Sequence, residues 1–206
     1  MKNQPFEKEV KFYLQNLTAI QKRLEALGAR LISARTHEYN LRFDTPQATL
    51  STKAQVLRLR KDAKNYLTFK DAADPSSGVA SRREIEFEIS SFENTQTLLE
   101  ALGYVVFIAY EKFRTTYALN ECEVVLDEMP FGIFAEIEGP DEATIRQASQ
   151  MLGLNWEARS KLSYLALFEI LKKAKNLSSE HILFASLPAD AFSAADFGLM
   201  PADLAA

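Results

Sequence analysis

Residues 83–89 read Arg-Glu-Ile-Glu-Phe-Glu-Ile, with a carboxylate at every second position and an apolar side chain between. Successive side chains on a β-strand point to opposite faces, so Glu84, Glu86 and Glu88 share one side and Ile85 and Phe87 the other. The spacing predicts a strand with one fully charged face. The same period recurs on both sides of it. Residues 6–13 put Glu7, Glu9 and Lys11 on one face, 55–60 carry Arg58 and Arg60, and 66–70 end on Lys70. Downstream, Lys112 and Arg114 flank Phe113 within 105–117, Asp127 closes 123–127, and Glu136 and Glu138 flank Ile137 within 133–138. A further strand is expected at 37–43.

Helical spacing separates these runs. Leu17, Ile20, Leu24 and Leu27 fall on one helix face that ends at Gly28, and helices are likewise expected at 92–102, 141–152 and 162–173. Residues 71–81, with Pro75, Ser76, Ser77 and Gly78, read as the clearest internal loop. The order of elements is that of a strand-rich α+β chain, not a βαβ repeat. One domain over residues 1–173 accounts for the pattern. From 174 to 206 the chain turns rich in Ala, Ser, Asp and Leu, an extension expected either to dock or to stay loose.

Composition limits the partners. The chain has 206 residues, 47% of them hydrophobic, and its 24 Lys and Arg against 28 Asp and Glu give a net charge of −4. That lacks the overall basicity of a nucleic-acid binder, so attraction for an anion must be local. Cys122 is the sole cysteine, which excludes an internal disulfide. The opening residues have no signal-like apolar run, and no stretch is long enough to span a bilayer. A cytoplasmic protein with no membrane or nucleic-acid partner is expected, with a homodimer left open.

The charged faces carry the chemistry. A solvated strand face needs no particular residue types, because surface ion pairs contribute only about 0–1 kcal/mol. Here Glu-x-Glu occurs at both ends of the β region, and clustered like charges repel unless a counter-ion joins them. Four carboxylates from two strands make an oxygen-rich set of the kind Mg²⁺ or Mn²⁺ accepts, while the two histidines are too few for a softer metal. Lys11, Arg58, Arg60, Lys70, Lys112 and Arg114 on the same faces suit a polyanion. A small-molecule triphosphate combines both requirements.

These residues resemble the CYTH domain of the triphosphate tunnel metalloenzyme superfamily. Glu7-x-Glu9-x-Lys11 is similar to its opening motif. The resemblance runs on through residues 57–60, 67–70, 83–88, 111–114 and 134–139, and to Ser163-Tyr164, in the family's order. It implies an eight-stranded antiparallel β-barrel tunnel with helices packed outside. It implies metal at Glu7, Glu9, Glu136 and Glu138, and triphosphate at Lys11, Arg58, Arg60, Lys70, Lys112 and Arg114, with Lys161 as a further contact. Lys11, Glu86, Glu88 and Asp127 are the catalytic candidates. The implied function is metal-dependent hydrolysis of tripolyphosphate or of an organic triphosphate such as thiamine triphosphate. The alternatives are a class IV adenylate cyclase, making cyclic AMP and pyrophosphate from ATP, and a non-catalytic polyphosphate- or nucleotide-binding module.

Overall fold

The computed structural model describes residues 7–73, 78–188 and 191–204. The expectations for Phe6 and for residues 74–77 of the loop lie outside these. In chain order the first half comprises β1 (Glu7–Leu14), α1 (Leu17–Ala26), β2 (Arg30–Asp44), α2 (Thr49–Thr52), β3 (Val56–Lys61), β4 (Asn65–Lys70), β5 (Ala80–Arg82) and β6 (Glu84–Ile89). The second half comprises α3 (Phe92–Ala101), β7 (Val105–Leu119), β8 (Cys122–Met129), β9 (Gly132–Glu138), α4 (Glu142–Met151), β10 (Arg159–Ser160) and α5 (Tyr164–Lys175).

The strands form one antiparallel sheet in the order β10-β1-β9-β8-β7-β2-β3-β4-β6, with β5 also paired to β1. Only Arg83 separates β5 from β6. Residues 80–89 therefore meet β1 at one end, where Arg82 faces Glu7, and β4 at the other, where Glu84 faces Lys70. The hydrogen-bonded ladder is interrupted at this seam and is not a closed ring; the covalent chain spans it. With β5 and β6 taken as one strand, eight strands surround a tunnel-like interior, and β10 is a two-residue addition to β1.

The outward faces of the strands are apolar and covered by helices. Val10, Phe12, Val124, Leu126 and Ile137 pack beneath Ile20 and Leu24 of α1, Ile145 of α4 and Leu152, which caps the C-terminal end of α4. Leu41, Phe43 and Leu59 pack beneath Phe92 and Leu99 of α3. Each of these helices starts where a short polar side chain takes up a free backbone N–H: Asn16 accepts from Ala19, Ser91 from Asn94 and Asp141 from Thr144. α5 differs from the expected outer position. Its Tyr164, Leu167, Phe168 and Leu171 meet Tyr13, Ile108, Met129 and Phe134, which share strand parity with the charged inner residues. The helix thus seals one end of the interior.

The C-terminal segment completes that seal. Phe197 lies 5.5 Å from Phe131 and 6.0 Å from Tyr13, ring centre to ring centre. The Ala202 N–H donates to the Tyr13 carbonyl at 2.9 Å, and Asp203 accepts the backbone N–H groups of Gln15 and Asn16. β2 is far longer than the expected 37–43, because residues 30–36 pair with β7 although their side chains are exposed and show no alternation. Phe168 has no exposed surface and stacks on Phe131 at 6.1 Å. Phe168→Ala is therefore expected to lower the free energy of unfolding by about 3–5 kcal/mol in urea titration, as for other buried aromatics. A loss under about 1 kcal/mol would contradict the packing described.

Candidate functional site

The inner faces of the strands enclose a cavity of about 430 Å³, within the roughly 300–1,000 Å³ typical of small-molecule sites. Eight cations and seven carboxylates line it. Period-two alternation is the cause: with the apolar face turned to the helices, every second side chain must point inward. Glu7, Glu9 and Lys11 come from β1, Arg58 and Arg60 from β3, Lys70 from β4, and Glu84 and Glu86 from β6. Lys112 and Arg114 come from β7, and Glu136 and Glu138 from β9.

Opposite charges interlock around this wall. The Lys11 ammonium donates to Glu9 at 2.6 Å and lies 3.2 Å from Glu136. Burial works against its charge, but Glu136 and Glu9 overcome that and hold its pKa above the ordinary lysine value. Burial likewise opposes ionisation of Glu136, which Lys11 and Arg114 keep well below the usual carboxylate range. Lys70 donates to Glu7 at 2.7 Å and lies 3.0 Å from Glu84, while Arg82 donates to Glu7 at 3.3 Å. Against the effect of burial, Lys70 and Arg82 bring the Glu7 pKa down to about 2. Burial and the neighbouring Glu7 leave Glu84 raised, with Lys70 opposing. Glu86 accepts from Arg58 at 3.2 Å, Arg60 at 3.0 Å and the Thr68 hydroxyl at 2.7 Å.

Eleven of the residues expected from the sequence thus lie on one cavity wall: Glu7, Glu9, Lys11, Arg58, Arg60, Lys70, Glu86, Lys112, Arg114, Glu136 and Glu138. Asp127 stands behind it. Fully buried, it accepts two bonds from Arg114 at 2.7 and 2.6 Å, one from Lys112 at 3.0 Å and one from the Tyr164 hydroxyl at 2.8 Å. Glu88 sits at an exposed rim, 2.6 Å from Lys64, and Lys161 is exposed beyond β10; neither lines the cavity. Cys122 is buried, its thiol pushed up to about 11 by burial, which leaves it protonated and unreactive. Trp156 and Tyr117 belong to the core, and His37 pairs with Glu111 at 2.8 Å on the surface.

Sequence reasoning passed over Glu38, Arg42, Arg82 and Glu123; Tyr110, weighed for stacking on a base and set aside as wall packing, lines the cavity. Residues 38, 40 and 42 alternate with the apolar Tyr39, Leu41 and Phe43, so β2 carried the same signal as its neighbours. Arg82 continues the parity of Glu84 and Glu86 across the β5–β6 junction. Glu38 is buried within 3.7–3.8 Å of Lys112, Arg60 and Arg114, and accepts from Asn40 at 3.0 Å. Burial opposes its charge; Lys112 and Arg114, with Arg58 and Arg60, lower its pKa to about 2.

The carboxylates fit a hard divalent cation by donor type. Glu9 faces Glu138 across β1 and β9, and Glu138 faces Glu123 across β9 and β8, giving an acidic row of oxygen donors. Histidine and cysteine are absent from the lining residues. Glu7, Glu9 and Glu136 are each held by a lysine or arginine, and among the described residues no three such groups are gathered in metal-binding geometry. Occupation by a metal requires those cations to turn to another anion.

Glu38 gives the electrostatics a stability readout. Its folded pKa lies below the ordinary 4.5, so its stabilisation is complete above about pH 5 and is lost as pH falls toward 2. Urea unfolding of the natural protein should lose on the order of 3 kcal/mol from this group over that interval. Glu38→Gln should be roughly 3–5 kcal/mol less stable at pH 7, since it leaves buried cations without their partner, and its acid limb should be shallower. Parallel acid limbs in the two proteins would contradict this.

Comparison with known proteins agrees with this geometry. The model of the CYTH domain matches residues 5–164. Adenylate cyclase CyaB from Aeromonas hydrophila is 28% identical over 150 residues, covering 71% of this chain and 76% of the relative. A candidate adenylate cyclase from Vibrio parahaemolyticus superimposes with a TM-score of 0.70 at 24% identity, over 80% of this chain and 98% of its own. A Hippeastrum protein, a candidate adenylyl cyclase described as having a dominant triphosphatase activity, gives a TM-score of 0.61 at 23% identity, over 79% and 95%. With the family model spanning most of its length and the charged cavity built from the matched strands, this chain belongs to the CYTH domain family.

Proposed function

We propose that this protein is a divalent-metal-dependent hydrolase of a triphosphate bound inside the charged cavity. The observation that carries the reading is the near balance of eight cations and seven carboxylates on one enclosed wall. A triphosphate alone would add several negative charges to a site with little net charge to receive them. A divalent cation restores the balance. The basic side chains would then be free to hold phosphate oxygens, and the carboxylates they leave would be free to hold the cation.

Arg58, Arg60 and Arg114 offer forked donors to phosphate oxygens, and Lys11, Lys70 and Lys112 offer compact charge. Asp127 holds Lys112 and Arg114 in place from behind the wall and acts as a positioning residue. Glu7, Glu9, Glu136 and Glu138 would hold Mg²⁺ or Mn²⁺, which when bound supplies Lewis-acid polarisation of phosphate oxygens. Lys11, set between Glu9 and Glu136, would steady charge developing where the metal and phosphate meet. Glu86, which belongs to neither acidic pair, would orient the attacking water.

A second reading rests on the named relative. The similarity to adenylate cyclase CyaB favours cyclisation, in which the ribose 3′-hydroxyl of ATP attacks the α-phosphorus and pyrophosphate leaves. The Hippeastrum protein has this fold and a dominant triphosphatase activity, so the architecture accommodates hydrolysis. Product analysis separates the two: hydrolysis of ATP releases orthophosphate or pyrophosphate with a linear nucleotide, and cyclisation gives cyclic AMP. With tripolyphosphate and Mg²⁺ or Mn²⁺, Glu136→Gln and Glu9→Gln are each expected to stay folded and to lose phosphate release by about 10²-fold or more. Near-normal turnover in both would defeat the metal assignment. Arg58→Ala is expected to weaken triphosphate binding roughly ten- to hundredfold in calorimetric titration, the range for a charge-assisted hydrogen bond. Unchanged affinity would remove Arg58 from the phosphate site.

A further inference from the structure

Ser163 and Tyr164 bring α5 to the charged wall. The Ser163 hydroxyl accepts the Ala166 N–H at 3.2 Å and caps the helix. Tyr164, the first helical residue, therefore reaches the cavity, while Leu167, Phe168 and Leu171 stay in the apolar seal. The helix is braced from behind. Lys175 pairs with Asp196 at 2.8 Å. β7 runs on past β8, which pairs with it only from Phe113 to Leu119, and Ile182 takes the vacant edge, its N–H donating to the Ala109 carbonyl at 3.0 Å. The Tyr164 ring is itself wedged edge-to-face against Phe134, 5.2 Å between centres, so its hydroxyl has a fixed place.

That place is beside Asp127. The hydroxyl donates to Asp127 Oδ2 at 2.8 Å, the same oxygen that accepts Lys112 at 3.0 Å and Arg114 Nη2 at 2.6 Å. Burial and the negative charges of Asp127 and Glu136 hold its pKa well above the ordinary tyrosine value, against Arg114, so it stays a donor. The Lys11 and Lys112 ammonium groups each lie over the tyrosine ring, 5.4 Å from its centre, within reach of a cation–π contact. Packing on Phe134 asks only for a ring; the hydroxyl answers to Asp127. This acid differs from the others of the site. It has no exposed surface and stands behind the lining residues, so it cannot take up a cation from the cavity as Glu9 or Glu136 would. A buried carboxylate deserted by its cations is costly, and a phosphate draws off cations but not a neutral hydroxyl.

We propose that Tyr164 is a positioning residue of the phosphate grip, its hydroxyl being the neutral partner that remains with Asp127 when Lys112 and Arg114 hold a triphosphate. This role rests on the triphosphatase reading and adds to it a residue that acts through Asp127. In the free protein Asp127 accepts four hydrogen bonds, three of them from Lys112 and Arg114, and the fourth is one among several. With the cations drawn toward phosphate, the hydroxyl carries a larger share. It therefore favours the liganded state over the free one.

The test is a double-mutant cycle of Tyr164→Phe and Asp127→Asn, read by calorimetric titration with tripolyphosphate and with ATP in the presence of Mg²⁺, and by KM and kcat. For each compound that the natural protein binds, Tyr164→Phe is expected to weaken binding about tenfold or more, the range for a hydrogen bond to a charged group. KM should rise in step, with kcat within about threefold of the natural value. In the Asp127→Asn background the same change is expected to cost less than about twofold, because no buried charge is left to satisfy. An equal factor in both backgrounds would make the hydroxyl independent of Asp127 and overturn the role. Affinity within about threefold of the natural value in Tyr164→Phe, which keeps the ring and its packing, would overturn it even if Asp127→Asn does not fold. A loss confined to kcat would overturn it as well. Each of these results sinks the role of Tyr164 alone. Absence of both binding and turnover for every triphosphate in the natural protein sinks the triphosphatase reading and this role with it.

Discussion

Charges taken out of bulk water and set facing one another across a narrow interior must neutralise each other or be neutralised by a ligand. Desolvating an ion costs several kcal/mol, and only close opposite partners offset that. The inner wall of this protein obeys the constraint almost everywhere: Lys11 sits between Glu9 and Glu136, Arg114 between Asp127 and Glu136, Lys70 between Glu7 and Glu84. The interlocking explains how one small domain tolerates buried Lys11, Lys112, Glu38 and Asp127. In the proposed function the wall is a latent binding site, each pair being traded for phosphate on one side and a metal on the other.

The fold exists to hold that wall. Alternation in the strands sends charge inward and apolar residues outward, and α1, α3 and α4 cover the apolar side. The chain bridges the seam between β1 and β4 with a single run of residues, 80–89, which places Arg82 beside Glu7 and Glu84 beside Lys70. Where the inner faces turn apolar, at Tyr13, Ile108 and Phe134, α5 and the C-terminal segment close the interior. Water is excluded on that side, and electrostatic interactions within are strengthened.

Much of the site was legible because a two-residue period is a strong local signal. Glu7, Glu9, Lys11, Arg58, Arg60, Lys70, Glu136 and Glu138 all follow from it. The same rule applied to β2 leads to Glu38 and Arg42, and applied across Arg83 it leads to Arg82; those were passed over because a single polar face was not followed through every strand. Parity says which face a residue takes but not how far along the tunnel it lies. That is why Glu88, with the parity of Glu86, ends at the rim, and why Asp127 ends behind the wall. The length of β2 was hidden for a different reason: residues 30–36 are held by backbone pairing to β7, with exposed Leu31 and Ile32, so no burial pattern marks them. The docking of Ile182 on the overhang of β7 is a long-range event that no local pattern records.

In the proposed function metal and triphosphate are mutually dependent, since each takes over one half of the same ion pairs. The most direct test is calorimetric titration of the protein with tripolyphosphate in the presence and absence of Mg²⁺, at fixed ionic strength. Exchange of ion pairs predicts that Mg²⁺ tightens tripolyphosphate binding tenfold or more, and that tripolyphosphate tightens Mg²⁺ binding by the same factor, as linkage requires. Equal tripolyphosphate affinity with and without the metal would contradict it.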